Sequence, residues 1–226
     1  GSTDATQERL LTLCRSAPQH LSVRVLRHSD NRGTYAARNA GLQQAHGEFI
    51  TTHDADDWSH PGKIASQVST LVAQHTSIAC LCYWARASAS LHFSSWWVQA
   101  SWSEICLSSL MVRRTAFTEI GYWDEVKVGA DSEFYERLYA HYGEQAVTEV
   151  KPKVPLAFGR LTEHSLTQRV GATHRCTQYL GSRKDYQDIF RRWHERGKLA
   201  APLYMPYNPR IRPFPAPRVL QSLKSR

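Results

Sequence analysis

The spacing of apolar positions changes repeatedly along the chain, between the two-residue period of strands and the three- to four-residue period of helices. Strands are predicted over residues 22–27, 49–53, 78–84, 107–112 and 146–151. Helices are predicted over residues 6–17, 34–46, 61–74, 130–142 and 174–196, with a short one ending at Ile120. This alternation predicts an α/β fold, in which functional loops gather at one edge of the sheet.

Two segments lack either period. Residues 85–103 are rich in Ser and Trp, and we expect an extended segment or a loop over a cleft, where Trp96, Trp97 or Trp102 could stack on sugar rings. Residues 202–217 hold six of the ten prolines, which excludes regular structure. This stretch is predicted to be either an extended arm laid over the domain or a linker.

The predicted strand over residues 49–53 ends in a cluster of three carboxylates, Asp54, Asp56 and Asp57. Such groups repel one another, and each costs free energy to desolvate. Mg²⁺ or Mn²⁺ would relieve the repulsion, because these ions bind one or two carboxylates and complete their shell with substrate phosphates. The cluster therefore indicates a metal-diphosphate site at a strand end. An acidic turn, with Asp54 or Asp57 capping the next helix, is the alternative.

The net charge of +8 is confined to the end of the chain. Residues 191–226 carry nine basic side chains and one acidic, whereas residues 1–190 carry 19 of each. The high pI thus arises from the tail and not from the domain. We therefore expect no nucleic-acid partner. The tail could contact anionic lipid headgroups or a protein partner, or it could be a solvated terminus.

Cysteine content and hydropathy bear on the location of the protein. The five cysteines show no zinc-ligand spacing, and Cys80 and Cys82 share one face of a predicted strand. With an odd cysteine count and no signal peptide, we expect a cytoplasmic protein, peripheral at the inner face of the membrane if the tail binds lipid. No run of 18 apolar residues is present to span a bilayer.

Three ordered stretches together resemble the family 2 glycosyltransferases of the GT-A fold, particularly bacterial enzymes that build surface polysaccharides. They are residues 35–42 (Tyr-Ala-Ala-Arg-Asn-Ala-Gly-Leu), 53–61 (His-Asp-Ala-Asp-Asp-Trp-Ser-His-Pro) and 129–134 (Gly-Ala-Asp-Ser-Glu-Phe) followed by Arg137. Residues 1–6 match the second half of the family's early Asp-Asp-x-Ser-x-Asp-x-Thr signature.

The resemblance implies a nucleotide-diphospho-sugar transferase fold, Rossmann-like, with a mixed sheet flanked by helices. It covers residues 1–170, which we expect to form a GT-A domain that is N-terminally truncated, because the family's first strand and aspartate pair would lie upstream of Gly1. Residues 171–200 are expected to contribute a C-terminal helix packed on this domain. Residues 201–226 form the basic, proline-rich tail.

The resemblance also implies roles for single residues near the donor. Asp54 and Asp56 match the Asp-x-Asp motif, with Asp56 as the direct metal ligand and Asp54 on the ribose or on the metal through water. Asp57 would support the metal through another group, or it caps a helix. Arg38 and Asn39 match helix residues beside the nucleotide, or they belong to an exposed polar face.

Further along the chain, Asp131 matches the catalytic base, with a helix-capping or first-turn acid as its alternative. Glu133 lies beside it, and Arg137 would pair with an active-site carboxylate. His164 and Ser165 resemble a late loop that closes over the diphosphate, although a surface loop fits them equally well.

These residue types suit sugar transfer with inversion. A carboxylate takes the proton of the acceptor hydroxyl, and a divalent cation stabilises the departing nucleoside diphosphate. Asp131 at a helix N-terminus is favoured in its ionised form. A retaining mechanism has no marker in the sequence. The resemblance implies a UDP-sugar donor and a glycan or lipid-linked acceptor. A truncated, non-catalytic module that serves as a binding or assembly surface is the alternative function, and a metal-dependent phosphohydrolase lacks the further ligands it needs.

Overall fold

The computed structural model describes residues 2–94, 101–161, 181–197 and 202–221. The helices in these ranges are α1 (Thr6–Ser16), α2 (Thr34–Gln43), α3 (Lys63–Ala73), α4 (Ala116–Ile120), α5 (Ala130–Tyr142) and α6 (Gly181–Gly197). The strands are β1 (Phe49–Thr51), β2 (Trp58–Ser59), β3 (Ala79–Ala87), β4 (Phe93–Ser94), β5 (Glu104–Arg113), β6 (Val147–Glu149) and β7 (Pro155–Arg160). A 3₁₀ helix spans Arg218–Leu220.

The described strands form one mixed seven-stranded sheet in the order β1-β5-β3-β7-β2, with β4 and β6 also paired to β3. Strand β3 is antiparallel to β5, with Cys82 opposite Cys106, and parallel to β7, with Ala85 opposite Phe158. Residues 79–82 are buried, as expected of a strand covered on both faces. The predicted α/β class and the mixed sheet are confirmed.

Most predicted elements are present with ends shifted by a few residues, but two predictions need correction. Residues 22–27 alternate like a strand, yet no described strand pairs with them, and Val23 and Leu26 remain exposed. Strand β7 was missed, because Pro155 and Gly159 favour a loop. Pro155 is the first residue of the strand, where proline is tolerated. A Cβ at Gly159 would lie 2.6 Å from the Trp84 ring, so the close contact requires glycine.

Strand β3 continues to Ala87, inside the segment predicted to be irregular, and β4 also lies there, because their pairing with each other supplies a signal that local sequence does not indicate. Trp96 and Trp97 lie outside the described residues. The helix predicted over residues 174–196 is described from Gly181 onward, as α6.

One core cluster packs α4 and α5 against the sheet around three stacked or tilted rings. Phe117 lies 5.3 Å from Phe134 and from Trp123, and Trp123 lies 5.0 Å from Phe134, measured between ring centroids. A second cluster buries Leu71 of α3 against Cys80 and Met111 on the other face. The segment that leads into α5 is therefore anchored by aromatic packing.

Residues 202–221 lie along the domain as an extended arm, which is one of the two alternatives predicted for them. Leu203, Met205 and Phe214 are buried. Met205 pairs with Gly121 in a parallel bridge, and Gln221 pairs with Val126 in an antiparallel one. No helix in the described ranges is both long and apolar enough to cross a membrane.

Candidate functional site

A cleft of about 1630 Å³ opens where α2, the turn after β1, strand β5 and the start of α5 meet. Its lining includes five of the predicted site residues. These are Arg38, Asp54, Asp56, Asp57 and Asp131. The stretch predicted to hold the metal and the stretch predicted to carry the base, about 75 residues apart in sequence, therefore face one space.

The acidic cluster is held in a tight turn and is partly neutralised. The amide of Asp57 donates to the carbonyl of Asp54 at 3.2 Å, which closes the turn. Arg38 Nη2 donates to Asp54 Oδ1 at 2.7 Å, and the amide of Arg160 donates to Asp57 Oδ1 at 2.9 Å. Asp56 is exposed, with its carboxylate on the cleft. Neither Asp54 nor Asp57 caps α3, since Gly62 occupies that position.

Partial burial is the main reason that the pKa of Asp57 lies above its ordinary value. The charges of Asp54 and Asp56 raise the pKa further, whereas the hydrogen bond from the Arg160 amide lowers it. The turn thus concentrates negative charge that a cation would stabilise.

Asp131 lies in the first turn of α5, directly after a sharp change in chain direction. Gly129 has a φ of +88°, a left-handed conformation that favours glycine. Asp131 Oδ1 accepts from the amide of Ser132 at 2.9 Å. The buried hydroxyl of Tyr35 faces this carboxylate. Burial raises the pKa of Tyr35 well above its usual value, and the charge of Asp131 raises it further.

Three of the predicted site residues lie in the core behind the cleft wall and not on its surface. Asn39 is buried, and its side chain holds the backbone of Trp123, donating to the carbonyl at 2.8 Å and accepting from the amide at 3.0 Å. Glu133 and Arg137 are fully buried and pair with each other at 3.0 Å. Asn39, Glu133 and Arg137 are therefore not among the residues that line the cleft, and their side chains contact the core.

The buried pair belongs to a larger polar network that joins α5 to α6. Glu133 Oε1 lies 3.0 Å from His194 Nε2. Arg137 donates to the carbonyls of Ile120 and Tyr122. The network fixes the helix that carries Asp131. His164 and Ser165 lie outside the described residues.

Sequence reasoning missed several cations that line the cleft. They are Arg86, Lys127, Arg160 and Arg183. Burial lowers the pKa of Arg183, the charge of Asp131 opposes this effect, and the Arg183 Nε has no hydrogen-bond partner within the described chain. No local signal distinguishes Arg183 from the other basic residues of α6, because its position depends on how α6 docks on α5.

The oxygen donors of the cleft fit a divalent cation that arrives with a diphosphate. No three or more His, Cys, Asp or Glu side chains within the described ranges are grouped to hold a metal by themselves. Asp54 and Asp56 nevertheless provide the one or two carboxylates that Mg²⁺ or Mn²⁺ uses when phosphates complete its shell. The site is thus suited to a shared protein–phosphate metal and not to a closed protein cage.

The chain is similar in sequence to known proteins. The model of the family described as "Glycosyl transferase family 2" matches residues 1–121. EpsH of Bacillus subtilis (strain 168), which carries the name of a glycosyltransferase, is 36% identical over 53 residues, or 24% of this chain and 15% of EpsH.

Solved structures of S. aureus TarS share the fold. TarS 1–349 in complex with UDP-GlcNAc has a TM-score of 0.56 at 18% identity, covering 82% of this chain and 52% of that one. A structure of TarS has a TM-score of 0.53 at 17% identity, covering 72% of this chain and 30% of TarS. This chain therefore spans about half of TarS 1–349 and a smaller share of EpsH.

Proposed function

The chain belongs to glycosyl transferase family 2, and from this premise we propose that it moves a sugar from a nucleotide-diphosphate donor to a hydroxyl group of a glycan or lipid-linked acceptor. One observation carries the proposal: the carboxylates of Asp54 and Asp56 line the same cleft as Asp131. Group transfer with a charged leaving group needs these two functions close together.

A UDP-sugar is the donor that we propose. The TarS structure of the same fold is a complex with UDP-GlcNAc, and the cleft has room for a ligand of that size. Arg38 orients Asp54 through their 2.7 Å ion pair, so that Asp54 can accept hydrogen bonds from the ribose or bind the metal through water. Asp57, whose Oδ1 is engaged by the Arg160 amide, supports the turn.

Mn²⁺ or Mg²⁺ is the proposed cofactor, held by Asp56 and assisted by Asp54. When bound, it stabilises the negative charge that develops on the departing nucleoside diphosphate. The protein contributes the orientation of both carboxylates, through the turn at residues 54–57 and the Arg38 ion pair.

Asp131 is the proposed base. Its carboxylate lies on the cleft, in the first turn of α5. It would take the proton of the attacking hydroxyl while the bond from the anomeric carbon to the diphosphate oxygen breaks on the opposite face. This in-line arrangement gives inversion.

The alternative function is a non-catalytic module that serves as a binding or assembly surface.

Titration with UDP by calorimetry, with and without Mn²⁺, separates the two functions. We expect metal-dependent binding that Asp56→Ala abolishes and that Asp30→Ala, an exposed aspartate away from the cleft, leaves intact. Asp131→Asn should retain UDP binding and lose at least about a hundredfold of donor turnover with an acceptor. No binding by the unmodified chain at millimolar UDP would contradict the catalytic function and favour the module.

A further inference from the structure

A second cavity of about 550 Å³ lies beside the candidate cleft, at the end where β3 and β5 pair. Its lining comprises Tyr83, Ser101, Trp102, Ser103, Glu104, Ile105 and Lys153. Glu104 and Ile105 also line the cleft, so the two spaces share one wall.

The cavity combines aromatic rings with polar groups. Trp102 is 79% exposed, and its only described ring partner is Phe93, at 6.1 Å between centroids. Tyr83 is held in place by its hydroxyl, which donates to Glu149 at 2.8 Å. The lining of the cavity thus includes an exposed indole and an anchored phenol, whose flat faces are apolar.

One polar group of the lining has unused hydrogen-bonding capacity. Ser103 Oγ is buried and has no hydrogen-bond partner in the described parts of the chain. Lys153 projects from the connection between β6 and β7, with a backbone φ of +65° that is unusual for a residue other than glycine. Backbone conformations of this kind persist where the surrounding structure enforces them, and they cluster at ligand sites.

We propose that this cavity is an acceptor subsite that binds a second sugar ring of an oligosaccharide while the acceptor hydroxyl lies at Asp131. The proposal rests on the transferase function. A pyranose has an apolar face that stacks on an indole and a rim of hydroxyls that pair with Ser, Lys and carboxylate groups, and the cavity offers both. The wall shared with the cleft allows one acceptor chain to occupy both spaces.

Exposed aromatic residues can also insert into a membrane surface, but the polar composition of this lining disfavours that partner. Four of the seven lining residues are polar, namely Ser101, Ser103, Glu104 and Lys153, and Glu104 is acidic. Burial of these groups in an acyl layer would cost free energy, whereas a sugar keeps polar hydroxyls next to them. The subsite therefore predicts preference for acceptors of two or more sugars.

The test compares Trp102→Ala with Trp58→Ala on an array of bacterial oligosaccharides. Trp58 is a matched control, because it is 50% exposed, stacks on Phe158 and lines neither cavity. We expect the full chain to bind a set of oligosaccharides, Trp102→Ala to lose at least tenfold in affinity and Trp58→Ala to lose none. Lys153→Met, an exposed position, should lose about threefold and provides a second variant should Trp102→Ala fold poorly.

UDP binding in the presence of Mn²⁺ is measured on the same samples and should be equal in all of them. Absence of UDP binding would be a failure of the transferase function, whereas intact UDP binding without oligosaccharide binding would overturn the subsite alone. Equal losses of oligosaccharide affinity in Trp102→Ala and Trp58→Ala would also overturn it. So would a protein that binds no glycan and instead binds vesicles of phosphatidylcholine and phosphatidylglycerol in a way that Trp102→Ala abolishes.

Discussion

Arg38 of α2 donates to Asp54 of the acidic turn at 2.7 Å, and this ion pair connects the two halves of the cleft. The same guanidinium lies 5.4 Å from the centre of the Tyr35 ring, one helical turn earlier. The Tyr35 hydroxyl in turn faces Asp131. Helix α2 therefore contacts both the proposed metal ligands and the proposed base.

Replacement of Arg38 by Ala should weaken metal-dependent UDP binding about tenfold, or about 1.4 kcal/mol. The reason is that Asp54 loses the donor that fixes its orientation. Calorimetric titration with UDP and Mn²⁺ measures the change. Arg38→Lys should recover only part of the loss, because an ammonium group lacks the planar geometry of a guanidinium.

Arg9→Ala is the control, since Arg9 is an exposed residue of α1 away from the cleft. An equal loss of UDP affinity in Arg9→Ala would attribute the effect to net charge. Unchanged affinity in Arg38→Ala would contradict the proposed role of the ion pair.

The sequence was sufficient to predict the fold class and the strand end that carries Asp54, because both depend on local pattern. It was insufficient for residues whose role depends on helical phase. Glu133 is two positions from Asp131, and on a helix such residues point to different sides. One carboxylate therefore lines the cleft, while the other lies in the core.

Long-range packing explains the other differences. Asn39 follows Arg38 directly, yet its side chain is directed toward Trp123, 84 residues away in sequence. Arg183 reaches the cleft because α6 docks on α5 through contacts such as Arg191 with Glu136 at 2.7 Å. Strand β7 forms because β3 offers it a partner. None of these relationships leaves a periodic signal in the sequence.

Replacement of Asp57 by Asn should stabilise the fold at pH 7 and lose this advantage toward pH 4. Burial and the neighbouring carboxylates raise the pKa of Asp57 in the folded protein. The folded state therefore binds a proton at Asp57 more tightly than the unfolded chain does. The stability that this protonation contributes is present below the unfolded pKa of about 3.9 and is lost as the pH rises through the folded pKa.

Asn never ionises, yet its Oδ1 can still accept from the Arg160 amide, so the variant avoids the loss at neutral pH. Urea unfolding of both proteins at pH 7 and pH 4 measures the difference. Asp185→Asn, at an exposed position of α6, should have no comparable effect. An equal stability difference at both pH values would refute the explanation.

Replacement of Glu133 by Gln should destabilise the protein by about 3–5 kcal/mol without changing UDP affinity. Glu133 and Arg137 have no exposed side-chain area, so the variant leaves Arg137 as a buried charge without its counter-ion. Urea unfolding gives the free energy, and calorimetry gives the affinity of the folded fraction.

Glu136→Gln is a matched control on the same helix, because its ion pair with Arg191 is solvent-exposed and should contribute less than about 1 kcal/mol. A large loss of UDP affinity in Glu133→Gln at unchanged stability would instead show that Glu133 takes part in ligand binding.

Replacement of Arg212 by Met should separate the C-terminal arm from the segment that leads to Asp131. Arg212 donates to Asp124, whose side chain is fully buried and also accepts from the hydroxyl of Tyr186 at 2.8 Å. Loss of the guanidinium leaves a buried carboxylate with one neutral donor, which should cost about 3–5 kcal/mol at pH 7.

This cost should decrease as the pH falls. Burial is the main reason that the pKa of Asp124 lies above its ordinary value, while Arg212 lowers it, so the variant should protonate Asp124 at a higher pH than the unmodified protein does. Below the unfolded pKa, near 3.9, Asp124 is neutral in both states and the missing charge no longer matters.

Urea unfolding between pH 4 and pH 7 measures how the stability difference between the two proteins changes with pH. Arg210 is an exposed arginine of the same arm, and Arg210→Met should leave the free energy of unfolding unchanged. A loss of stability in Arg212→Met that does not vary with pH would show that packing, not charge, holds the arm in place.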